Sequence, residues 1–296
     1  MHIGKFSFAL LMLLAGSAQA AELTGTLKRV KDSGAITLGH RESSIPFSYY
    51  DDKQQVIGYS HELMLKAVEA VKQELGLAKL DVRLNPVTSQ NRIPLVQNGT
   101  IDIECGSTTN NTERQKQVSF SNTIFIVGTR LLTKKESGVK DFPDLAGKNV
   151  VTTAGTTSER LLRKMNEDKK MGMNIISAKD HGESFLTLET GRAVAFMMDD
   201  ALLYGEMAKA KRPGDWAVVG TAQSFEAYGC MLRKDDAPFK KVVDAAIAKA
   251  MTTGEAEKIY AKWFMNPVPP KGYNLNFPLS DSMKGLYKAP TDKAYD

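Results

Sequence analysis

Two hydrophobic periods alternate along the chain. Ala35–Gly39 reads AITLG, a short apolar run of strand type that ends at His40-Arg41. Phe47–Tyr50 and Gln55–Tyr59 flank the polar turn Asp51-Asp52-Lys53 and predict a small hairpin. Leu63, Ala67, Val71 and Leu75 then recur at helical spacing, so a helix is expected from a Ser60 cap to about Leu75, stopped by Gly76. Asp81–Val87 alternates as a strand. Ser89 is placed to cap the next helix, which carries Arg92 in its first turn and tolerates Pro94 near its start. Asn98-Gly99 ends it, and Ile101–Gly106 is the following strand.

A second unit is expected after Thr129–Thr133. Asp141–Lys148 leads into a strand at Asn149–Thr153, then a Gly-Thr-Thr-Ser turn and a helix from about Glu159. Ile175-Ile176 is a short strand. His181 opens a helix through Leu188 that closes at Gly191-Arg192, and Ala193–Met198 delivers Asp199-Asp200 to a strand end. Tyr228–Lys234 is a late strand, followed by helices near Phe239–Met251 and Glu255–Phe264. Strand and helix in alternation predict an α/β fold with a parallel sheet. Such sheets hold ligands beyond the carboxyl ends of their strands. Arg41, Ser107 and Asp199 all follow strand-like runs.

The first twenty residues carry a different pattern. Lys5 precedes the apolar run Phe8–Ala15, and Ala18-Gln19-Ala20 is a small-residue cleavage signal before Ala21. Residues 1–20 are therefore expected to be a cleavable signal peptide, and the rest of the 296-residue chain an exported, soluble protein long enough for two domains. The net charge of +5 is spread over interleaved Lys and Glu, which argues against a nucleic-acid surface. Cys105 and Cys230 are the two cysteines; an even number in an exported chain fits one disulfide, and two buried thiols fit as well. His2, His40, His61 and His181 are scattered, no Cys or His cluster has metal-ligand spacing, and no cofactor is expected.

The cations matter more than their number. Arg41, Arg92 and Arg114 sit in GHRESS, SQNRIP and TTNNTERQ, each where an apolar run meets a turn or helix start, and His181 sits in KDHGES as a possible fourth cation. A guanidinium fork at a strand end can grip a carboxylate or phosphate through two parallel hydrogen bonds. The group points to a small, multiply charged anion. Each residue also has a plain reading: Arg41 paired with Glu42, Arg92 on a helix surface, His181 as a helix cap. Phe47 and Tyr50 are either walls for an apolar ligand stem or core residues.

The order PFSYY, Gly58-Tyr59, NRIPLVQNGTID, GSTTNNTERQKQVSFS, DFPDLAGK, GTTSE, MMDDAL, YGCMLRKDD and GEAEKIYAKWF resembles the periplasmic solute-binding proteins of polar amino-acid ABC importers. The segments HRESS, TSQNRIP, ECGSTTN and ISAKDHG are similar to those of the glutamate- and aspartate-binding branch. The resemblance spans nearly all of the chain beyond residue 20. It implies a type II periplasmic-binding-protein fold, with lobes at 24–129 plus 226–296 and at 130–225, and hinge crossings near 128–130 and 223–227. It implies L-glutamate and L-aspartate as ligands, a membrane permease as partner, a monomer, and no chemistry on the ligand. The rival is a secreted dehydratase or lyase on the same scaffold. The implied site has Arg114, Thr109 and Thr157 on the α-carboxylate and Asp199, with Ser107, on the ammonium. Arg41, Ser89, Arg92 and His181 surround the distal carboxylate. In this architecture Cys105 and Cys230 fall on neighbouring strands and are expected to be bridged.

Overall fold

The computed structural model describes residues 22–269 and 271–295, so the expected signal peptide lies outside the described residues. The chain opens with α1 (Gly25–Ser33), an element with too few apolar positions to stand out in the sequence: Leu27 and Val30 are buried and the rest is polar. Next come β1 (Ala35–His40), β2 (Ser43–Ser44), β3 (Ser48–Tyr50) and β4 (Val56–Ile57), the last two forming the expected hairpin. α2 (Tyr59–Glu74) buries Leu63, Ala67 and Val71. Its N-cap is Gly58, not Ser60, which is buried within the first turn. Gly58 has φ +133°, and a Cβ there would lie 2.3 Å from the Phe47 carbonyl oxygen, so the turn into α2 needs glycine.

β5 (Asp81–Pro86), α3 (Arg92–Gln97) and β6 (Ile103–Glu104) follow. α3 has Asn91 at its N-cap position, so Ser89 is not the cap. The reason lies in the preceding turn, where the Asn91 side chain accepts from the Thr88 N–H at 2.7 Å and ties the entry to itself. α4 (Thr112–Gln115) is a single turn, and β7 (Val118–Lys134) is a strand of 17 residues. The stretch 129–133, taken from the sequence as a boundary between units, is thus the interior of one long strand.

β8 (Asn149–Thr153), α5 (Thr157–Asp168), β9 (Asn174–Ala178), α6 (His181–Glu189), β10 (Ala195–Asp199) and α7 (Asp200–Lys209) continue the alternation. Then come β11 (Trp216–Val219), β12 (Phe225–Arg233), α8 (Ala237–Thr252), α9 (Glu255–Phe264), β13 (Pro267–Val268), β14 (Tyr273–Asn274) and α10 (Asp281–Lys288).

The main sheet runs β5-β1-β6-β12-β7-β10-β8-β9, with β11 also on β7. β5, β1 and β6 are parallel at one end; β10, β8 and β9 are parallel at the other. The centre is antiparallel, which the strand–helix alternation did not predict. The cause is β7, which serves both halves. Residues up to Gly128 pair with β12, and from Thr129 onward β7 pairs with β10. The chain returns past Gly220 into β12.

Aromatic residues fill the core beneath the first half. Phe47 packs edge-on against Phe125 and Tyr228, at centroid distances of 4.9 and 5.2 Å, so it is a core residue and not a ligand wall. Leu131, Phe142, Leu145, Val150, Leu162 and Met197 make a separate cluster in the second half. Cys105 and Cys230 form a disulfide with a Cα separation of 4.3 Å, joining the segment after β6 to β12. No helix among the described residues is long and apolar enough to cross a membrane.

Candidate ligand-binding site

Arg41, Arg92 and Arg114 are carried by three separate segments of the first half, and all are buried, at 1%, 1% and 5% exposure. No carboxylate lies within 4.0 Å of any of them among the described residues, so the Arg41–Glu42 pair and the surface placement of Arg92 are both overturned. Arg92 follows β5 and a turn, and its side chain runs inward. Its Nη1 donates to the Ser107 carbonyl at 3.0 Å and to the Thr108 hydroxyl. Thr108 in turn donates to Glu104 Oε2 at 2.7 Å. Arg114, in α4, donates through Nη1 to the Thr109 carbonyl at 2.9 Å and through Nη2 to the Gly155 carbonyl of the second half at 3.4 Å.

Burial is the main force on these charges. It lowers the Arg41 pKa to about 10, with the neighbouring Arg92 adding to the fall and Glu104 opposing it. Burial, then Arg92, lowers Arg114 to about 9, and Glu226 opposes that fall. Arg92 is lowered too, by burial, and Glu104 supports its charge. All three guanidiniums remain cationic at neutral pH and repel one another, a cost that an anionic partner removes.

The second half contributes side chains from the ends of β8 and β10 and the starts of α5 and α6. Asp180 caps α6 by accepting from the Glu183 N–H, so His181 is not the cap. Its ring Nδ1 meets the Thr153 hydroxyl at 2.8 Å. The sequence reading of His181 as a fourth cation is corrected: burial, followed by Arg41 and Arg92, pushes its pKa well below the ordinary value, so it is a neutral ring. Thr157 is the first residue of α5, two positions earlier than expected, because Thr156 caps the helix by accepting from the Glu159 N–H. Its hydroxyl lies 3.4 Å from that of Thr109 across the two halves.

Asp199 ends β10 and is 3% exposed. Its Oδ1 accepts from Thr129 and Ser158 hydroxyls, each at 3.2 Å, and its Oδ2 accepts from Tyr228. Burial and then the charge of Glu226 raise its pKa to about 8, against the pull of the Tyr228 hydroxyl. Ser107 donates to Ser44 at 3.3 Å. Four buried donors here have no hydrogen-bond partner, Arg41 Nη1, Ser89 Oγ, Arg92 Nε and His181 Nε2, and one buried acceptor, Glu104 Oε1, is likewise unpartnered. The four donors belong to the residues that the family resemblance placed around a distal carboxylate.

Hydrogen bonds and mutual charge effects link Arg41, Arg92, Ser107, Thr109, Arg114, Thr157, His181 and Asp199 into one neighbourhood. Ser89 is buried on the turn before α3. Sequence reasoning missed Glu104, Thr108, Thr153, Ser158, Glu226 and Tyr228. The two acids were detectable in principle, since each interrupts an apolar run, Glu104 in IDIEC beside Asp102 and Glu226 alone in FEAYGC. A surface groove of about 850 Å³ between α1, α2 and α8 is rimmed by the exposed Glu74, Lys241 and Lys249 and gathers no buried charge.

Residues 36–266 match the model of the bacterial extracellular solute-binding proteins, family 3. The chain belongs to this family. It is 71% identical over 283 residues to an L-glutamate/L-aspartate-binding protein of Pseudomonas aeruginosa, covering 95% of this chain and 94% of that one. It is 63% identical over 288 residues to a glutamate/aspartate import solute-binding protein of Escherichia coli, covering 96% and 95%. Among solved structures, an ancestral amino acid-binding protein described as a precursor of cyclohexadienyl dehydratase aligns with a TM-score of 0.69 and 27% identity, over 81% of this chain and 99% of that one. The fold is that of a family 3 solute-binding protein: two α/β lobes joined by two crossing strands, here β7 and the segment entering β12.

Proposed function

We propose that this family 3 protein is a carrier that captures L-glutamate and L-aspartate between its lobes and hands them to the permease of an ABC importer. The lobes comprise 24–129 with 226–296, and 130–225. The protein works in the periplasm as a monomer, after removal of residues 1–20. The observation that carries the ligand assignment is the set of orphaned polar atoms. Arg41 Nη1, Ser89 Oγ, Arg92 Nε and His181 Nε2 are buried without partners. A distal carboxylate supplies acceptors for all four. An unmatched buried polar atom costs about 1–3 kcal/mol, so a neutral side chain in the same place leaves that cost standing.

The remaining groups suit the part that all amino acids share. Arg114, with the backbone N–H groups of Thr109 and Thr157, presents donors to an α-carboxylate, and Thr157 opens α5, where the helix start has favourable polarity for an anion. Asp199 is the acceptor for the α-ammonium, with Ser107 beside it. Contacts from both lobes favour closure on the ligand, and closure excludes water and strengthens each ionic contact. Micromolar affinity corresponds to about 8 kcal/mol, which a handful of charge-assisted hydrogen bonds at about 1.5–3 kcal/mol each supplies after association costs.

The curated relatives are named as binding or import solute-binding proteins, and the dehydratase reading draws no comparable support. Titration calorimetry on ligand-stripped protein against a panel of amino acids tests the assignment. L-Glutamate and L-aspartate should bind far more tightly than glutamine, lysine or leucine, and should be recovered chemically unchanged. Tighter binding of a neutral or basic amino acid overturns it.

A further inference from the structure

We propose that Glu226 is a second anionic group of the ammonium subsite, and that with Asp199 it makes the protein select α-amino acids over dicarboxylates lacking the amine. This rests on the ligand reading above. Glu226 is the second residue of β12, where the chain re-enters the first lobe, and is 5% exposed. Its Oε2 accepts the Thr157 hydroxyl at 2.6 Å and the Thr109 hydroxyl, one from each lobe. These two threonines face the amino-acid head group in the proposed pose. Glu226 therefore borders that subsite, directly against both threonines.

The two carboxylates are joined through the crossing segments. Asp199 Oδ1 meets Thr129 Oγ1 at 3.2 Å, Thr129 Oγ1 meets Ser224 Oγ at 2.6 Å, and Ser224 Oγ meets Glu226 Oε1 at 3.2 Å. This chain has three contacts but only two hydroxyl protons. With both carboxylates ionised, one contact lacks a hydrogen. A proton on one carboxyl completes all three, which accords with the raised pKa of Asp199 and its dependence on Glu226. The pair thus carries more negative charge than its hydrogen bonds satisfy. Arg114 offsets Glu226 from the carboxylate-binding side. On the other side the matching cation is an ammonium with three donors. When it enters, it takes the place of the shared proton and both acids can be ionised. A dicarboxylate with no amine brings only negative charge to the same two acids.

The test is the ratio of affinities for L-glutamate and glutarate, which differ only in the amine. It is measured by calorimetry in wild type, Glu226→Gln and Glu226→Asp. Glutamine keeps an acceptor oxygen for the two threonines but removes the charge. The ratio should fall at least tenfold in Glu226→Gln, with Glu226→Asp between it and wild type. An unchanged ratio overturns the inference, whether both ligands weaken together or both tighten together. If only Glu226→Asp is recovered folded, a ratio at least threefold below wild type supports the inference and an unchanged one overturns it. A wild type that does not bind L-glutamate removes the ligand reading and this inference together. A wild type that binds it, beside a variant that keeps the ratio, removes this inference alone.

Discussion

At the residue scale the proposed site gives the three buried guanidiniums different work. Arg92 acts electrostatically on both other guanidiniums and has its own Nε unpartnered, whereas Arg114 reaches Gly155 of the other lobe. Arg92→Ala should weaken L-glutamate by roughly 2 kcal/mol or more, about 30-fold, while leaving glutamine nearly unaffected. Arg114→Ala should weaken both. Calorimetry on the two ligands separates these outcomes, and equal losses for glutamate and glutamine in Arg92→Ala contradict the division of roles. Arg92→Lys should restore only part of the affinity, because an ammonium lacks the planar fork. Asp199 adds a pH dependence. Its folded pKa of about 8 is above the ordinary 3.8, held there by burial, Glu226 and Asp200 against Tyr228 and Ser158. The sign follows from this. Its contribution to stability is full below about pH 4 and declines as pH rises toward 8. An ammonium favours the ionised form, so binding should release a proton below pH 8. Affinity should tighten from pH 6 to 8 by up to about tenfold per unit, then level off. Calorimetry in buffers of different ionisation heat measures the release, and Asp199→Asn should abolish it.

At the element scale the lobes also meet through backbone. In α7, a Cβ at Gly205 would lie 2.0 Å from the Ile45 carbonyl oxygen, and Gly182 donates its N–H to Ser43 Oγ at 3.2 Å. Gly205 is helical, so alanine strains no dihedral there. Its methyl group acts on the approach of the lobes and not on the helix. Gly205→Ala should lower affinity for L-glutamate at least tenfold while the melting temperature of the protein without added ligand falls by only a few degrees. A large loss of stability with normal affinity would show that the contact serves folding alone.

At the scale of the whole molecule, β7 and the disulfide divide the labour. β7 pairs with β12 in one lobe and with β10 in the other, so one strand positions Thr129 at the change of partner, where it touches Asp199. The bridge between Cys105 and Cys230, separated by 125 positions, pins β12 within the first lobe and leaves the crossings unbridged. The double variant Cys105→Ser with Cys230→Ser should lose roughly 2–5 kcal/mol of stability in denaturant titrations. It should still bind L-glutamate with near-normal affinity, because neither sulfur takes part in the site's hydrogen bonds.

What the sequence determined by itself was local. Period and turn chemistry located α2, α3, α6, α8 and α9, as the buried stripe of Leu63, Ala67 and Val71 shows for α2, and a short apolar run buried on both faces located β1. The cations at strand ends were legible because position along a strand is a sequence property. Tertiary structure decided the rest. The 17-residue β7 was obscured because both its faces are covered in turn by different partners, which blurs the alternation. His181 lost its charge only through burial beside two arginines from the other lobe. Phe47 became core because four aromatic rings converge on it from distant segments. Glu226 entered the site because β12 re-enters the first lobe beside Thr109 while α5 brings Thr157 from the second. Charge state and contact depend on groups far apart in the chain, and those distances are set only when the lobes come together.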